Sequence, residues 1–293
     1  MSTPAFELGG SHLKRRRRVN RGMEVLAWLA AAIAVGILAV VVWSVAKRGA
    51  SELNLDLITK PPIPFSLTNA PQGLSNAFLG TLVLVGLATA MALPVGILVA
   101  VYLNEFAPPS IRNGVTLVLD ILNGVPAIVI GIFVFGLLVL GHTQSALAAG
   151  VALAIIMLPL VARSTQEVLA LVPGSLREAS FALGVSRWRT VLGVILPTSF
   201  GGILTGATLA IARAAGETAP LLFTSALTTS QTSWDPRRAL QSIPLTIFED
   251  LEQPDPKLHA QAWGAAFVLM AFVLVVSVLS KLALARSRRK LTR

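Results

Sequence analysis

The sequence predicts an all-α membrane protein with six transmembrane helices, and composition and patterning both support that fold class. Hydrophobic residues make up 54% of the 293 residues and charged residues only 13%, as is typical of polytopic membrane proteins rather than of soluble domains. Six apolar runs are each long enough to cross about 30 Å of hydrocarbon as a helix. The sequence contains no cysteine, which excludes disulfides and thiol catalysis.

The six runs follow one another along the chain. The first, Val25–Ala46, is longer than a signal-peptide core and is predicted to be a retained signal anchor. The other predicted spans are approximately Ala77–Leu103, Val115–Gly141, Ala146–Ala162, Gly201–Ala226 and Leu258–Ser280. Pro94 and Pro126 interrupt the second and third runs and mark either kinks or local irregularities of packing. A partly apolar stretch, Ala239–Phe248, predicts a short helix between the last two spans.

The positive charges predict the orientation of the spans. Six spans place both termini on one side, and the segments on that side hold seventeen Lys and Arg residues against six on the other. Such an excess is typical of the cytoplasmic side. The net charge of +10 comes mainly from two terminal clusters that abut apolar spans. Without interleaved aromatic residues, these clusters indicate topological anchors rather than nucleic-acid binding.

The segment between the fourth and fifth spans predicts a pair of short cytoplasmic helices. Ser175 and Glu178 have the spacing of a capping box, which predicts a helix from Leu176 to about Leu183. Gly184 can adopt the left-handed conformation that ends a helix. Ser186 is then the predicted cap of a second helix, which meets Pro197 at the entry to span five.

The spacing in this segment resembles the EAA signature of ABC importer permeases. The positions that match the signature are Glu178, Ala179, Gly184, Val194, Leu196 and Pro197. Ser180 stands where the signature has a second alanine, which is a change between small residues. The match extends over about twenty residues of one predicted cytoplasmic loop, so the signal is specific.

The resemblance implies that this loop docks on a separate ATPase subunit. The implied coupling residues are Ser175, Glu178, Ala179, Gly184, Leu196 and Pro197. Leu176, Phe181, Leu183 and Trp188 offer apolar anchors for such an interface. The chain has no Gly-x-x-x-x-Gly-Lys-Ser/Thr pattern, and no lysine follows a glycine. We therefore expect a non-catalytic subunit that binds no cofactor, with ATP and Mg²⁺ held by the partner ATPase.

Two charged residues lie in the fifth apolar run. Arg213 and Glu217 are four residues apart, so they share one helix face, and counting from Gly201 places Arg213 about 18 Å into the span. An ionised side chain at mid-bilayer costs about 2.5–3.5 kcal/mol even on mild insertion scales. The two charges can pair with each other, pair with a partner permease, or meet an anion in transit.

The amino-acid sequence around these charges resembles that of the PstA-type permeases of bacterial phosphate importers. The stretch Arg213-Ala-Ala-Gly-Glu-Thr-Ala-Pro220 carries the resemblance, together with Tyr102–Glu105, Asn123–Val129 and Met157–Pro159. It covers roughly residues 70–285 and implies the type I ABC importer fold. It also implies a phosphate path with Arg213, Glu217 and Thr218. A permease for sulfate or molybdate, or a channel or anchor without ATP coupling, remains an alternative.

The same resemblance implies partners and a division of the chain. The expected partners are a PstC-type permease, two copies of a PstB-type ATPase and a PstS-type binding protein, in the bacterial inner membrane. Residues 1–72 are expected to hold a basic tail, the first transmembrane helix at about 23–46 and an outer loop. Residues 73–284 then form the permease domain, with coupling helices at about 164–197, and residues 285–293 form a basic tail.

Asp120 in the third span has a separate interpretation. It lies about one and a half turns from the predicted cytoplasmic end of that span. We interpret it as an interfacial residue that bonds to nearby backbone or to Arg112.

Overall fold

The computed structural model describes residues 10–62, 73–225 and 232–291, with side chains from residue 15 to residue 282. Within these ranges the regular structure is helical throughout, as predicted. The α-helices are α1 Gly10–Gly49, α2 Leu55–Thr59, α3 Ser75–Val101, α4 Pro109–Gly124, α5 Ala127–Val134, α6 Ala146–Ala170, α7 Gly174–Ala182, α8 Arg187–Thr190, α9 Leu196–Ala215, α10 Leu221–Thr224, α11 Ile243–Glu252 and α12 Pro256–Leu291. Single π-helical turns at Tyr102–Phe106, Phe135–Val139 and Val191–Ile195 extend α3, extend α5 and join α8 to α9.

The membrane-spanning elements agree with the predicted fold class. Of the described residues, five helical segments are long and apolar enough to cross a bilayer. A sixth span is obtained if α4 and α5 count as one bent pair. The chain is therefore a multi-pass membrane protein.

Helix α6 lies at the centre of the bundle, between α3 and α9. Its inward residues, among them Leu153, Met157 and Val161, form a buried cluster with small residues of both neighbours. Glycine allows the close approach: a methyl group at Gly96 of α3 would lie 2.8 Å from Val161 Cγ1. Small residues at helix contacts are the usual means of packing in lipid, where association depends on fit.

Of the two predicted spans that contain an internal proline, only the third is interrupted. Pro94 lies inside the unbroken α3, whereas at Pro126 the chain turns by 97° between α4 and α5. At the break Val125 adopts the extended backbone that a residue before proline favours. Gly124, a poor helix former, precedes it and weakens the helix there, whereas the helix continues through Pro94.

The prediction of span five was wrong at both ends. The helix starts at Arg187, runs through the π-turn Val191–Ile195 into α9, and ends at Ala215 instead of Ala226. Pro197 therefore does not separate two helices. The π-turn directly before it relieves the clash that a proline ring makes with the preceding turn. Gly216 and Pro220 stop the helix at its other end.

Helix α11 is the short helix predicted near Ala239–Phe248, displaced by about one turn. Polar groups hold it against α3: the amide of Ile243 donates to Thr81 Oγ1 at 2.9 Å, and Asn76 Nδ2 donates to Gln241 Oε1 at 2.8 Å. Within the described part of the chain, the buried Asp250 Oδ2 has no hydrogen-bond partner. Burial, and secondly the neighbouring Glu249, raise the pKa of Asp250 from 3.8 to about 7.

We predict that Asp250→Asn removes a pH dependence of stability. The folded chain holds the Asp250 proton more tightly than the unfolded chain, so the free energy of unfolding falls as pH rises from about 4 to about 7. The loss is at most about 4 kcal/mol, at 1.36 kcal/mol per pKa unit. Thermal melting of the purified chain between pH 4 and pH 8 tests this. The asparagine variant should melt higher at pH 8, while Glu252→Gln on the exposed end of α11 should follow the wild type. Parallel melting profiles for Asp250→Asn and the wild type would refute the assignment.

Candidate functional site

The loop between α6 and α9 forms the predicted pair of short helices, α7 and α8. The capping-box prediction was wrong: α7 begins at Gly174, with Pro173 at the cap position and no side-chain cap. Because the helix begins two residues earlier than predicted, with Pro173 at the cap position, Ser175 lies within the first turn, where it cannot act as the cap. Ser186 does occupy the cap position of α8, but its side chain makes no capping bond.

The prediction for Gly184 is confirmed. Its φ is +73°, a left-handed conformation that glycine adopts readily. The amide of Val185 donates to the carbonyl of Ser180 at 3.1 Å, and the amide of Gly184 donates to that of Phe181 at 2.9 Å. This pair of bonds is the Schellman ending of a helix, and it sets the angle between α7 and α8.

The rest of the predicted coupling surface is open. Glu178 and Ala179 on α7 are exposed, and so are the four apolar anchors Leu176, Phe181, Leu183 and Trp188. Leu196 instead packs against the buried residues that join the ends of α3 and α6, and Pro197 is exposed at the start of α9. One face of the loop is therefore available to a partner.

An ion pair that the sequence did not predict fastens this loop to the bundle. Arg177 Nη2 and Glu105 Oε1 are 2.8 Å apart, and only 21% and 7% of the two side chains are exposed. Arg177 also donates to the carbonyls of Val172 at 2.7 Å and Leu169 at 3.0 Å. The partners lie 72 positions apart in the sequence, so no local pattern could have identified them.

Arg213 and Glu217 lie at the break in the fifth span, where α9 ends. Arg213 is in the last turn of α9, whereas Glu217 and Thr218 follow the helix in a turn that ends at Pro220. Arg213 Nε lies 3.4 Å from Glu217 Oε1, with 43% of the arginine side chain and 18% of the glutamate exposed. The charges pair with each other and the guanidinium is still accessible, so it can also meet a partner permease or an anion in transit.

The helix faces explain the exposure of Arg213. Ala210 and Ala214 are buried against α6, while Leu209 and Arg213 are on a neighbouring, exposed face. Gly202 packs on Val168 and Gly206 on Ser164, so α9 runs antiparallel to α6 and Arg213 is level with Met157. From Ala146, where α6 begins, to Met157 the helix axis rises about 17 Å.

The two interrupted spans meet beside this pair. A methyl group added at Gly131 of α5 would lie 2.6 Å from Pro220 Cα, and the rings of Phe135 and Phe223 are 6.5 Å apart. The carbonyl of Thr218 accepts the amides of Leu221 at 3.0 Å and Leu222 at 3.3 Å and so begins α10. Irregular backbone at this level is tolerated in membrane proteins where it is buried in protein or lines a cavity.

Asp120 has a different partner from the predicted one. Its Oδ1 lies 2.9 Å from Arg163 Nε of α6. Arg112 donates instead to the backbone carbonyls of Leu103 at 2.8 Å and Asn104 at 3.3 Å. Arg163 comes from a helix distant in sequence, which is why the nearer Arg112 was the wrong choice.

Known proteins resemble this chain over most of its length. The model of the family described as "Binding-protein-dependent transport system inner membrane component" matches residues 92–293. The chain is 38% identical over 275 residues to the phosphate transport system permease protein PstA of Yersinia pestis, covering 93% of this chain and 92% of that protein. It is 40% identical over 223 residues to PstA 1 of Mycobacterium tuberculosis strain H37Rv, covering 75% and 72%.

Solved transporter structures share the fold. A chain of the inward-facing MetNI methionine ABC transporter superposes with a TM-score of 0.59 at 19% identity, covering 75% of this chain and 96% of that one. A chain of the bacterial alginate ABC transporter gives 0.60 at 14% identity, covering 94% and 98%. The chain therefore has the fold of ABC importer permeases.

Proposed function

Because the chain belongs to the family of binding-protein-dependent transport system inner membrane components, we propose that it is a permease subunit of an ATP-driven importer that moves inorganic phosphate into the cell by alternating access. The full-length similarity to proteins named PstA supports phosphate as the substrate. The single observation that carries the proposal is the accessible Arg213 guanidinium, level with the middle of α6, at the point where α9 stops.

The chemistry of this site suits an oxyanion. A guanidinium presents a planar fork of donors that matches phosphate oxygens, and its charge acts strongly where water is scarce. Glu217 at 3.4 Å partly offsets that charge. A partial offset is useful because a transport site must release its ion as well as bind it. Thr218, next to Glu217, completes the proposed path.

The proposed setting is the bacterial inner membrane, with both termini in the cytoplasm. The chain pairs with a PstC-type permease, rests on two PstB-type ATPase subunits and receives phosphate from a PstS-type binding protein. ATP and Mg²⁺ are held by the ATPase, and this chain performs no catalysis. The exposed coupling residues, with Glu178 and Ala179 on α7, are the contact surface for one ATPase subunit.

Uptake into vesicles tests the function. Vesicles that carry this chain with its three candidate partners should accumulate phosphate only when ATP is supplied, and excess sulfate or molybdate should not compete. Competition by either anion would make the chain a permease for another oxyanion. Uptake that is independent of ATP would instead indicate a channel and would refute energy coupling.

We predict that Gly184→Ala weakens docking of the ATPase. The left-handed backbone at Gly184 costs roughly 1–2 kcal/mol for a residue with a Cβ, which should alter the angle between α7 and α8. Retention of the ATPase subunit in a pull-down should fall several-fold. Gly174→Ala is the matched control, since its backbone is not left-handed and nothing lies within 4 Å of the added methyl group. Equal retention by both variants would contradict the prediction.

A further inference from the structure

The π-turn Tyr102–Phe106 at the end of α3 contacts both coupling helices, and its role is not explained by the proposed function alone. The turn is closed by the amide of Ala107, which donates to the carbonyl of Tyr102 at 2.8 Å. A π-turn adds one residue to a helix and so redirects the side chains that follow it. Here it places Glu105 against α7 and Phe106 against α8.

Glu105 is tied to α7 by several bonds at once. Arg177 Nη2 donates to Glu105 Oε1 at 2.8 Å and Nε donates to Oε2 at 3.3 Å. This is the two-pronged arrangement that makes arginine–carboxylate pairs directional. Asn104 Nδ2 also donates to Oε1, at 2.6 Å. Since the same guanidinium bonds to carbonyls at the end of α6, Arg177 joins α7 to α3 and α6 together.

Phe106 forms a second contact, with α8. Its ring centroid lies 6.1 Å from that of Trp188, and the Arg187 guanidinium carbon lies 5.8 Å above the Phe106 ring. Near these two contacts, Val101 at the end of α3 and Leu169 at the end of α6 form one buried cluster with Val191 and Ile195. The end of α3 therefore meets both coupling helices within two consecutive residues.

Helix α7 has little else to hold it. Ser180 is the single buried residue of α7, and its apolar side chains Leu176 and Phe181 are exposed. A displacement applied to α7 therefore reaches the bundle through the backbone and through Arg177. Helix α3 in turn packs along much of α6, which lies beside the Arg213 helix.

We propose that the Tyr102–Phe106 turn is the junction through which motion of the coupling loop reaches the transport path, and that the Arg177–Glu105 ion pair holds α7 against this turn. Arg177 and Glu105 are positioning residues that do not touch substrate or nucleotide. The proposal rests on the proposed function, since it needs an ATPase that moves the loop. A break in the ion pair leaves the ATPase able to bind and hydrolyse ATP, but its cycle no longer drives the membrane helices.

The test uses the complete reconstituted complex and three variants: Arg177→Glu, Glu105→Arg and the double exchange. Each single variant should assemble, keep its basal ATP hydrolysis, and lose at least about 90% of both phosphate uptake and the stimulation of hydrolysis by phosphate-loaded binding protein. The double exchange restores opposite charges across the same gap but not the bonds from Arg177 to the carbonyls of Leu169 and Val172, so it should recover part of both. Arg163→Gln, which breaks the Asp120 pair away from the coupling loop, should retain the stimulation.

The outcomes separate the junction from the function. Wild-type stimulation in both single variants would overturn the junction. Failure of the single variants to assemble, without rescue by the double exchange, would also overturn it and leave the pair a folding element. If the wild-type complex itself carries no phosphate with ATP, the proposed function fails first.

Discussion

Arg213→Gln is expected to reduce phosphate uptake at least about 100-fold while assembly with the ATPase survives. Glutamine keeps much of the length of arginine but loses the charge and the fork of donors. Hydrogen bonds to charged groups contribute about 1.5–3 kcal/mol each, so the loss of two exceeds two powers of ten. Because Arg213 lies on an exposed face of α9, away from the packed face of Ala210 and Ala214, the substitution should leave the bundle intact.

Initial uptake rates in vesicles, with quantified complex on a gel, measure this effect. Arg213→Lys is the matched variant: it keeps the charge without the fork and should retain part of the uptake. Glu217→Gln should lower the phosphate concentration needed for half-maximal uptake and slow the maximal rate, because the offsetting charge is gone. Uptake by Arg213→Gln at the wild-type rate would remove Arg213 from the path.

Gly131→Val is expected to disrupt the junction of the two interrupted spans. The new Cβ would lie 2.6 Å from Pro220 Cα and 3.1 Å from Pro220 O, and backbone atoms cannot move aside as a flexible side chain can. Overpacking of this kind typically costs 1–3 kcal/mol or more. Since Pro220 ends the turn that holds Glu217 and Thr218, uptake should fall at least about tenfold, and the melting temperature should fall with it.

Gly136→Val provides the control for that substitution. Gly136 lies in the π-turn that continues α5, and nothing is within 4 Å of an added methyl group. Uptake and thermal melting of the two variants should therefore differ clearly. If both lose uptake to the same extent, loss of glycine flexibility rather than the contact with Pro220 is responsible.

Local patterns in the sequence predicted the helices and the left-handed Gly184, and the errors came where distant residues decide. Apolar runs identified the spans because a bilayer requires long apolar helices, and Gly184 was identified because few other residues adopt its backbone. Span five was wrong at its far end because apolar residues continue on both sides of the turn Gly216–Pro220, so the run looks continuous although the helix stops. That turn is held by Gly131 of another span.

The ion pairs were the least predictable part. Arg177 and Glu105 are 72 positions apart, and Asp120 bonds to Arg163 in place of the nearer Arg112. A charged residue at an interface has many partners within reach, and the three-dimensional packing of α4, α6 and α7 selects among them. The pairing of Arg213 with Glu217 was predictable in part because the two are separated by about one helical turn.

The close contacts of α6 with its neighbours determine which substitutions the bundle tolerates. Gly96 meets Val161, and Gly150 meets Leu87. Lipid hydrocarbon solvates apolar side chains as well as the protein interior does, so the hydrophobic effect contributes little to holding these surfaces together. Substitutions at these positions will therefore be selected by volume rather than by polarity. Serine should be better tolerated there than leucine, because its side chain adds less volume at a contact that is already tight.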